Sequence, residues 1–227
     1  MVNNMTEMFY NLKNRLSQIS FGLGLDNELD IDKIDSYQEL TKAYLLLVHA
    51  ELEKYFEMLS LAVAKSAYDD YDKAGKVSIP LLAVSSINLY ALETHPDDYN
   101  DLKTDEKKKV MVMHKRISQI YGKYLERVKG NNGIKNKDIF KLFWSIGISK
   151  DEIGEDLLMQ LDSLGEKRGF IAHTGNSIRL LNYEEEKSKI NYLMQELEKF
   201  DAFIVENNYI NSNLAANVIE GLLYSRT

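Results

Sequence analysis

Apolar residues recur at intervals of three and four along most of the chain, the period of an amphipathic helix rather than of a strand, so an all-α fold is expected. Only two prolines and twelve glycines interrupt 227 residues, which leaves room for long helices. The clearest stripe is Leu40, Tyr44, Leu47, Val48, Leu52, Tyr55, Phe56, Leu59 and Val63. It predicts one helix crossing the whole domain, from a capping box at Ser36-Tyr37-Gln38-Glu39 to about Lys73, with Gly75 as its stop.

Shorter elements flank it. Glu7 to Ile19 reads as an amphipathic helix ended by Phe21-Gly22-Leu23-Gly24, and an acidic connector follows at 26–35. Ser78 and Pro80 predict a helix start that runs through Ile87 and Leu92 to the break at Thr94-His95-Pro96-Asp97. A basic helix is expected from Thr104 or Asp105 to Lys129, and an aromatic one from Asn136 to Ile146. Ser149-Lys150-Asp151-Glu152 is a second capping box, opening a helix that carries Ile153, Leu157, Leu158, Leu161 and Leu164 and continues into 168–175. Asn182 caps a last long helix through Ile204, and a weaker apolar tail spans 214–223. The expected organisation is a single helical domain over 1–227: an N-terminal helix and connector at 1–35, a core at 36–206 and a tail at 207–227.

Composition narrows the chemistry. The chain lacks cysteine, which removes thiol nucleophiles, paired-cysteine redox chemistry, the usual structural zinc and iron–sulfur clusters. The start of the sequence shows no basic region followed by an apolar stretch, and the apolar run Tyr44 to Val48 is far too short to span a bilayer. A soluble cytoplasmic protein without membrane association is expected. The formal charge of −7 is uneven: residues 1–102 hold 8 Lys/Arg against 17 Asp/Glu, residues 103–150 hold 13 against 4, and residues 151–227 hold 7 against 14. The segmental charges are therefore −9, +9 and −7. A polyanion-facing surface at 103–150 is one reading, and a solvated helix face paired with the acidic flanks is the other.

Four histidines are present. His95 falls in a loop, His114 lies among lysines, and His49 sits beside the long apolar stripe as a core-edge residue. No pair has the helical spacing of a metal site, so no metal and no cofactor are expected. His173 closes the segment Lys167-Arg168-Gly169-Phe170-Ile171-Ala172-His173-Thr174-Gly175. Arginine is the fixed cation suited to a phosphate, and histidine exchanges a proton near neutral pH. On an ideal helix five residues turn the side chains about 140° apart, so the pair converges only where the helix turns near His173, as Gly175 would allow.

The stretch 161–175 resembles the signature of HEPN domains, whose ribonuclease members carry an R-x4-6-H motif. The run from Ala43 to Phe56, with Leu52-Glu53 in it, is similar to a helix of the RiboL-PSP-type HEPN branch. The resemblance implies a helical bundle with long antiparallel helices, commonly homodimeric, in which two such motifs meet across the dimer cleft as one metal-independent endoribonuclease site. Arg168 and His173 would be catalytic, with Glu53 as a helix carboxylate near them and Glu51 and Glu57 as alternatives to it. It further implies a toxin or antiviral-defence effector, with a cognate antitoxin or defence-system partner, or a member that has lost activity and serves in RNA binding or assembly. Active members usually place a polar residue after the arginine, where this chain has Gly169.

RNA is then the partner expected for the basic segment, through Lys123, Arg127, Lys129, Lys135, Lys137 and Lys141. Cations interleaved with aromatics suit single strands, although Phe140, Phe143 and Trp144 follow helical spacing and are expected in the core. A helical protein-interaction domain unrelated to RNA is the remaining reading. Dimerisation with two histidines facing one cleft favours the nuclease, and a buried Arg168 salt-bridged to a carboxylate, with no cleft, favours the interaction domain.

Overall fold

Thr6 opens the first helix, α1 (Glu7–Gly22), by accepting a hydrogen bond from the Phe9 backbone on its own hydroxyl. In the computed structural model, which describes residues 5–25, 34–88, 106–174, 181–210 and 214–225, eight more helices follow. They are α2 (Ile34–Ala74), α3 (Ile79–Asn88), α4 (Glu106–Lys129), α5 (Asn136–Trp144), α6 (Lys150–Ile153), α7 (Glu155–Thr174), α8 (Tyr183–Glu206) and α9 (Ala216–Tyr224). The described residues contain no strand, so the all-α expectation holds.

The 41-residue α2 is the axle, packed by α1, α3, α4, α5, α7 and α9. At 1.5 Å per residue it is about 60 Å long. Met58 to Ala64 are buried on every side, as a helix passing through the middle of a bundle must be. The predicted stripe is buried at Tyr44, Val48, Leu52, Tyr55, Phe56, Leu59 and Val63, whereas Leu47 is exposed. Cross-helix contacts fix direction. Tyr71 meets His114, Tyr68 stacks on Tyr121, and Asn131 reaches Glu57, so α4 runs antiparallel to α2. Arg15 pairs with Glu51 and Thr6 meets the Asp201 that Tyr55 also touches, so α1 is antiparallel too. Gln38 bonds Leu181 at both backbone groups and Tyr55 bonds Asp201, so α8 runs parallel to α2.

One cluster of buried side chains joins α1 to α9. Phe143 links it edge-on, at 6.1 Å to Phe56 of α2 and 5.0 Å to Phe200 of α8. Deep inside, the Asp201 carboxylate accepts from the Thr6 backbone and hydroxyl, both at 2.6 Å, and from the Tyr55 hydroxyl at 2.7 Å. Three helices are thereby tied by one fully buried charge.

Two boundaries depart from expectation. The box at Ser36 is not the start of α2, which begins at Ile34, because Glu39 turns to Lys42 at 2.6 Å instead of capping backward. The box at Ser149 forms, with Glu152 accepting from the Ser149 backbone at 2.7 Å. The helix it opens ends after one turn at Gly154, whose φ of 96° is open to glycine, and α7 starts afresh. The acidic connector at 26–33, the helix end beyond Asn88, His95, Thr104, Asp105 and Gly175 lie outside the described residues.

Candidate active site

The motif lies on α7, and its core-facing row is set by Leu157, Leu161 and Leu164, all buried. Arg168 continues that row one turn later, within about 40° of Leu161 and Leu164 around the axis. Unlike the leucines it is exposed, although Lys167 and Ile171 on either side of it still meet α8 and the core. It makes no hydrogen bond or ion pair within 4 Å with a described residue. Arg168 thus stands on the inward row with its side chain exposed.

The Arg168 charge is felt on α2. His49, Glu53 and Glu57 stand at successive turns of that helix, so they share one face. His49 is buried, with Nδ1 at 3.7 Å from Glu53 Oε2, an ion-pair distance rather than a hydrogen bond. Burial, reinforced by the Arg168 charge and opposed by Asp138, pushes the His49 imidazole down to about 4. Its neutral form therefore dominates at neutral pH. Burial raises the Glu53 carboxyl above the usual range while the Arg168 charge pulls it back and Asp138 adds to the rise. Glu57 is pushed up to about 7 by burial, opposed by a hydrogen bond from Asn131 at 3.0 Å and helped by the Glu53 charge.

The start of α5 packs against α7 beside them. The Asn136 backbone donates to Asp162 of α7 at 2.7 Å, which fixes the two helices together. Lys135 lays its stem across α7 at Gly165, where any β-carbon would sit 2.8 Å from Lys135 Cγ. The Arg168 charge thus reaches His49 and Glu53 of α2, and Asp138 of α5 acts on the same two groups with opposite sign. Of the three candidate carboxylates on α2, Glu51 is engaged by Arg15 at 2.9 Å and Glu57 by Asn131, which leaves Glu53 in the field of Arg168.

His173 is exposed in the last turn of the same helix. Because α7 continues unbroken to Thr174, the convergence that a turn near His173 would bring does not occur within one chain. The histidine shares its face with Phe170 and, four turns back, Met159, which are 49% and 58% exposed. The imidazole beside Arg168 in the same chain is instead that of His49. Sequence reasoning placed His49 at the core edge, which is correct. What it missed was that α2 turns His49 and Glu53 to one helix, and the i,i+4 spacing of His49 and Glu53 was the available signal.

The basic residues divide into two groups. Arg127 donates to Ser145 at 2.9 Å and Lys129 to the Ser225 carbonyl at 2.7 Å, so both brace the fold. Lys123 is half-buried, as is Lys135, while Lys137 and Lys141 are exposed on α5. The aromatics were expected in the core, and Phe143 is there. Trp144 is 53% exposed and Phe140 half-exposed, because Ile139, Leu142 and Phe143 already occupy the buried face of so short a helix.

No described helix is long and apolar enough to cross a membrane. Comparison with curated proteins and with solved structures finds no match. The RiboL-PSP-HEPN family model, however, matches residues 10–206, which takes in most of α1 and all of α2 through α8, with Arg168, His173, His49 and Glu53 among them. With this helical fold and that span, the chain belongs to the RiboL-PSP-HEPN family.

Proposed function

We propose that the protein is a metal-independent endoribonuclease of the HEPN type that acts as a homodimer, with Arg168 and His173 of both subunits in one cleft. The observation that carries this reading is Arg168: an exposed arginine on the inward row of α7 with no salt bridge to a described residue, not the buried salt bridge of a purely structural arginine. A fixed planar cation there suits the charge that develops on a phosphate.

In the proposed reaction the ribose 2′-oxygen attacks the adjacent phosphorus and the bond from phosphorus to the 5′-oxygen breaks. The products are a 2′,3′-cyclic phosphate and a 5′-hydroxyl. His173 of one subunit removes the 2′-hydroxyl proton, and the departing 5′-oxygen takes its proton from water. Arg168 stabilises the added negative charge between those events, and Glu53 orients Arg168. The straight α7 supports the two-subunit form, because a single chain holds Arg168 and His173 on different faces and the His173 face also exposes Met159 and Phe170. Such apolar side chains on one helix face are what a self-interface covers. A toxin or antiviral-defence effector, held in check by a cognate antitoxin or defence partner, is the proposed setting.

One observation favours a second reading, a non-catalytic RNA-binding or assembly module. Gly169 stands where active members carry a polar side chain, and a β-carbon there would meet nothing within 4 Å, so packing does not demand glycine. Cleavage of end-labelled total RNA in EDTA by the purified protein, beside folded Arg168→Ala and His173→Ala variants, separates the two. The nuclease reading expects cutting by the wild type alone. Binding without cutting by all three supports the module.

A further inference from the structure

We infer that the outward face of α5 is a stacking site for an unpaired nucleobase, with Trp144 as the platform and Lys137 and Lys141 as the phosphate contacts. This inference deepens the RNA-facing reading above, at a place separate from Arg168.

Helical geometry defines the face. Taking the buried Ile139 as the inward direction, Lys137, Phe140, Lys141 and Trp144 all point within about 100° of arc on the opposite side. Both lysines are exposed, and Trp144 leaves 53% of its surface in solvent. An indole costs much to leave in water, and a fold that buries Phe143 completely on the adjoining position of the same helix leaves this one out. Phe140 lies beside it, with ring centroids 6.1 Å apart, and Lys150 Nζ sits 5.0 Å from the Phe140 centroid. That lysine props the aromatic pair from below and adds a third positive charge.

The charge on this face decides the ligand. The only carboxylate of α5, Asp138, turns aside toward Gly133. A protein partner with an apolar surface would not require two exposed ammonium groups on the face that carries the indole, whereas a single strand of RNA presents an unstacked base and phosphates together. A shallow groove of about 580 Å³ runs beside Trp144, between α3 at Ala83 and Ser86 and the turn at Gly147, and gives a base room to lie against the ring. A duplex, whose bases are already stacked, offers nothing for the indole to take.

Trp144 is the chain's single tryptophan, so its fluorescence reports the site directly. The experiment uses full-length protein carrying Arg168→Ala, so that RNA stays intact, and single-stranded RNA of about a dozen nucleotides labelled for anisotropy. Saturable quenching of the indole emission, following the anisotropy isotherm, is expected with the single strand and not with the matching duplex or with heparin. Trp144→Ala, checked by circular dichroism, is expected to weaken single-strand binding at least about fivefold, with Trp144→Phe close to the parent. Binding without quenching, or equal quenching by heparin, overturns the platform while leaving RNA binding intact. Absence of any binding overturns the platform and the RNA reading together. Quenching in a protein whose wild type never cuts RNA supports the platform while refuting the nuclease.

Discussion

Arg168 and His173 leave one unbroken helix about 140° apart, the first toward His49 and Glu53 of α2 and the second outward beside Phe170. The division of labour in the proposed reaction follows from that geometry. Arg168→Ala is expected to lower RNA cleavage about 10²- to 10³-fold, the cost of losing one charge-stabilising donor set. Arg168→Lys keeps the charge and loses the planar fork, so single-turnover rates should fall between those of Ala and the parent. A lysine variant as fast as the parent would mean that a point charge suffices.

Asp201 supports the site from a distance by holding α1, α2 and α8 together. Asp201→Ala leaves the Thr6 backbone, the Thr6 hydroxyl and the Tyr55 hydroxyl without their acceptor in a buried place. Urea denaturation should show a loss of about 3 kcal/mol or more. Asp201→Asn, which keeps one acceptor oxygen, should cost roughly half as much. A loss under about 1 kcal/mol for the alanine variant would refute the tie.

Two α2 groups make stability depend on pH in opposite senses. His49 titrates near 4 in the folded protein against 6.5 unfolded, so the unfolded chain binds the extra proton and stability falls as pH drops from about 6.5 toward 4. Glu57 titrates near 7 folded against 4.5 unfolded, so the folded protein holds the extra proton and stability falls as pH rises from about 4.5 toward 7. Glu57→Gln, which can still accept from Asn131, should make stability climb more steeply with pH between about 5 and 7, because it removes the opposing Glu57 slope and leaves that of His49. Tm measured across that interval checks it, and an unchanged slope would contradict the assignment.

The basic residues should separate in binding experiments. Lys137→Glu with Lys141→Glu removes two exposed charges from α5, so RNA binding should weaken and its slope against salt should shallow by about 1.4. Arg127→Ala should chiefly lower Tm, because its guanidinium is spent on Ser145. Equal losses of affinity from both changes would argue for one continuous basic surface.

Much of the fold was legible because helical periodicity is a property of neighbouring residues. The stripe on α2, the cap at Ser149 and the cap at Asn182 are all local signals, and all three mark real helices. The start of α2 was misread because Ser36 and Glu39 have the right spacing for a cap, while the choice of Lys42 as the partner of Glu39 depends on three-dimensional placement. Gly154 was missed because Ile153 and Leu157 keep the same period across the break. At the site, the Arg168 and His173 motif was visible as a spacing, and Glu53 through a resemblance. The approach of His49 to Arg168 was not, since nothing in the order of residues says which turn of α2 faces the end of α7. Trp144 was assigned to the core from its spacing alone, and the buried Ile139, Leu142 and Phe143 show that the helix had already filled its inner face.

The central claim is that one active site needs Arg168 and His173 from two chains. The most direct measurement co-expresses Arg168→Ala and His173→Ala subunits with different tags, purifies the mixed dimer and assays RNA cleavage in EDTA. A site shared between subunits predicts that the mixed dimer recovers activity at least tenfold above either variant alone, since it holds one intact Arg168 and one intact His173 on facing chains. A mixed dimer that forms and stays as inactive as its parents, or a wild-type chain that cuts RNA as a monomer, would contradict the account.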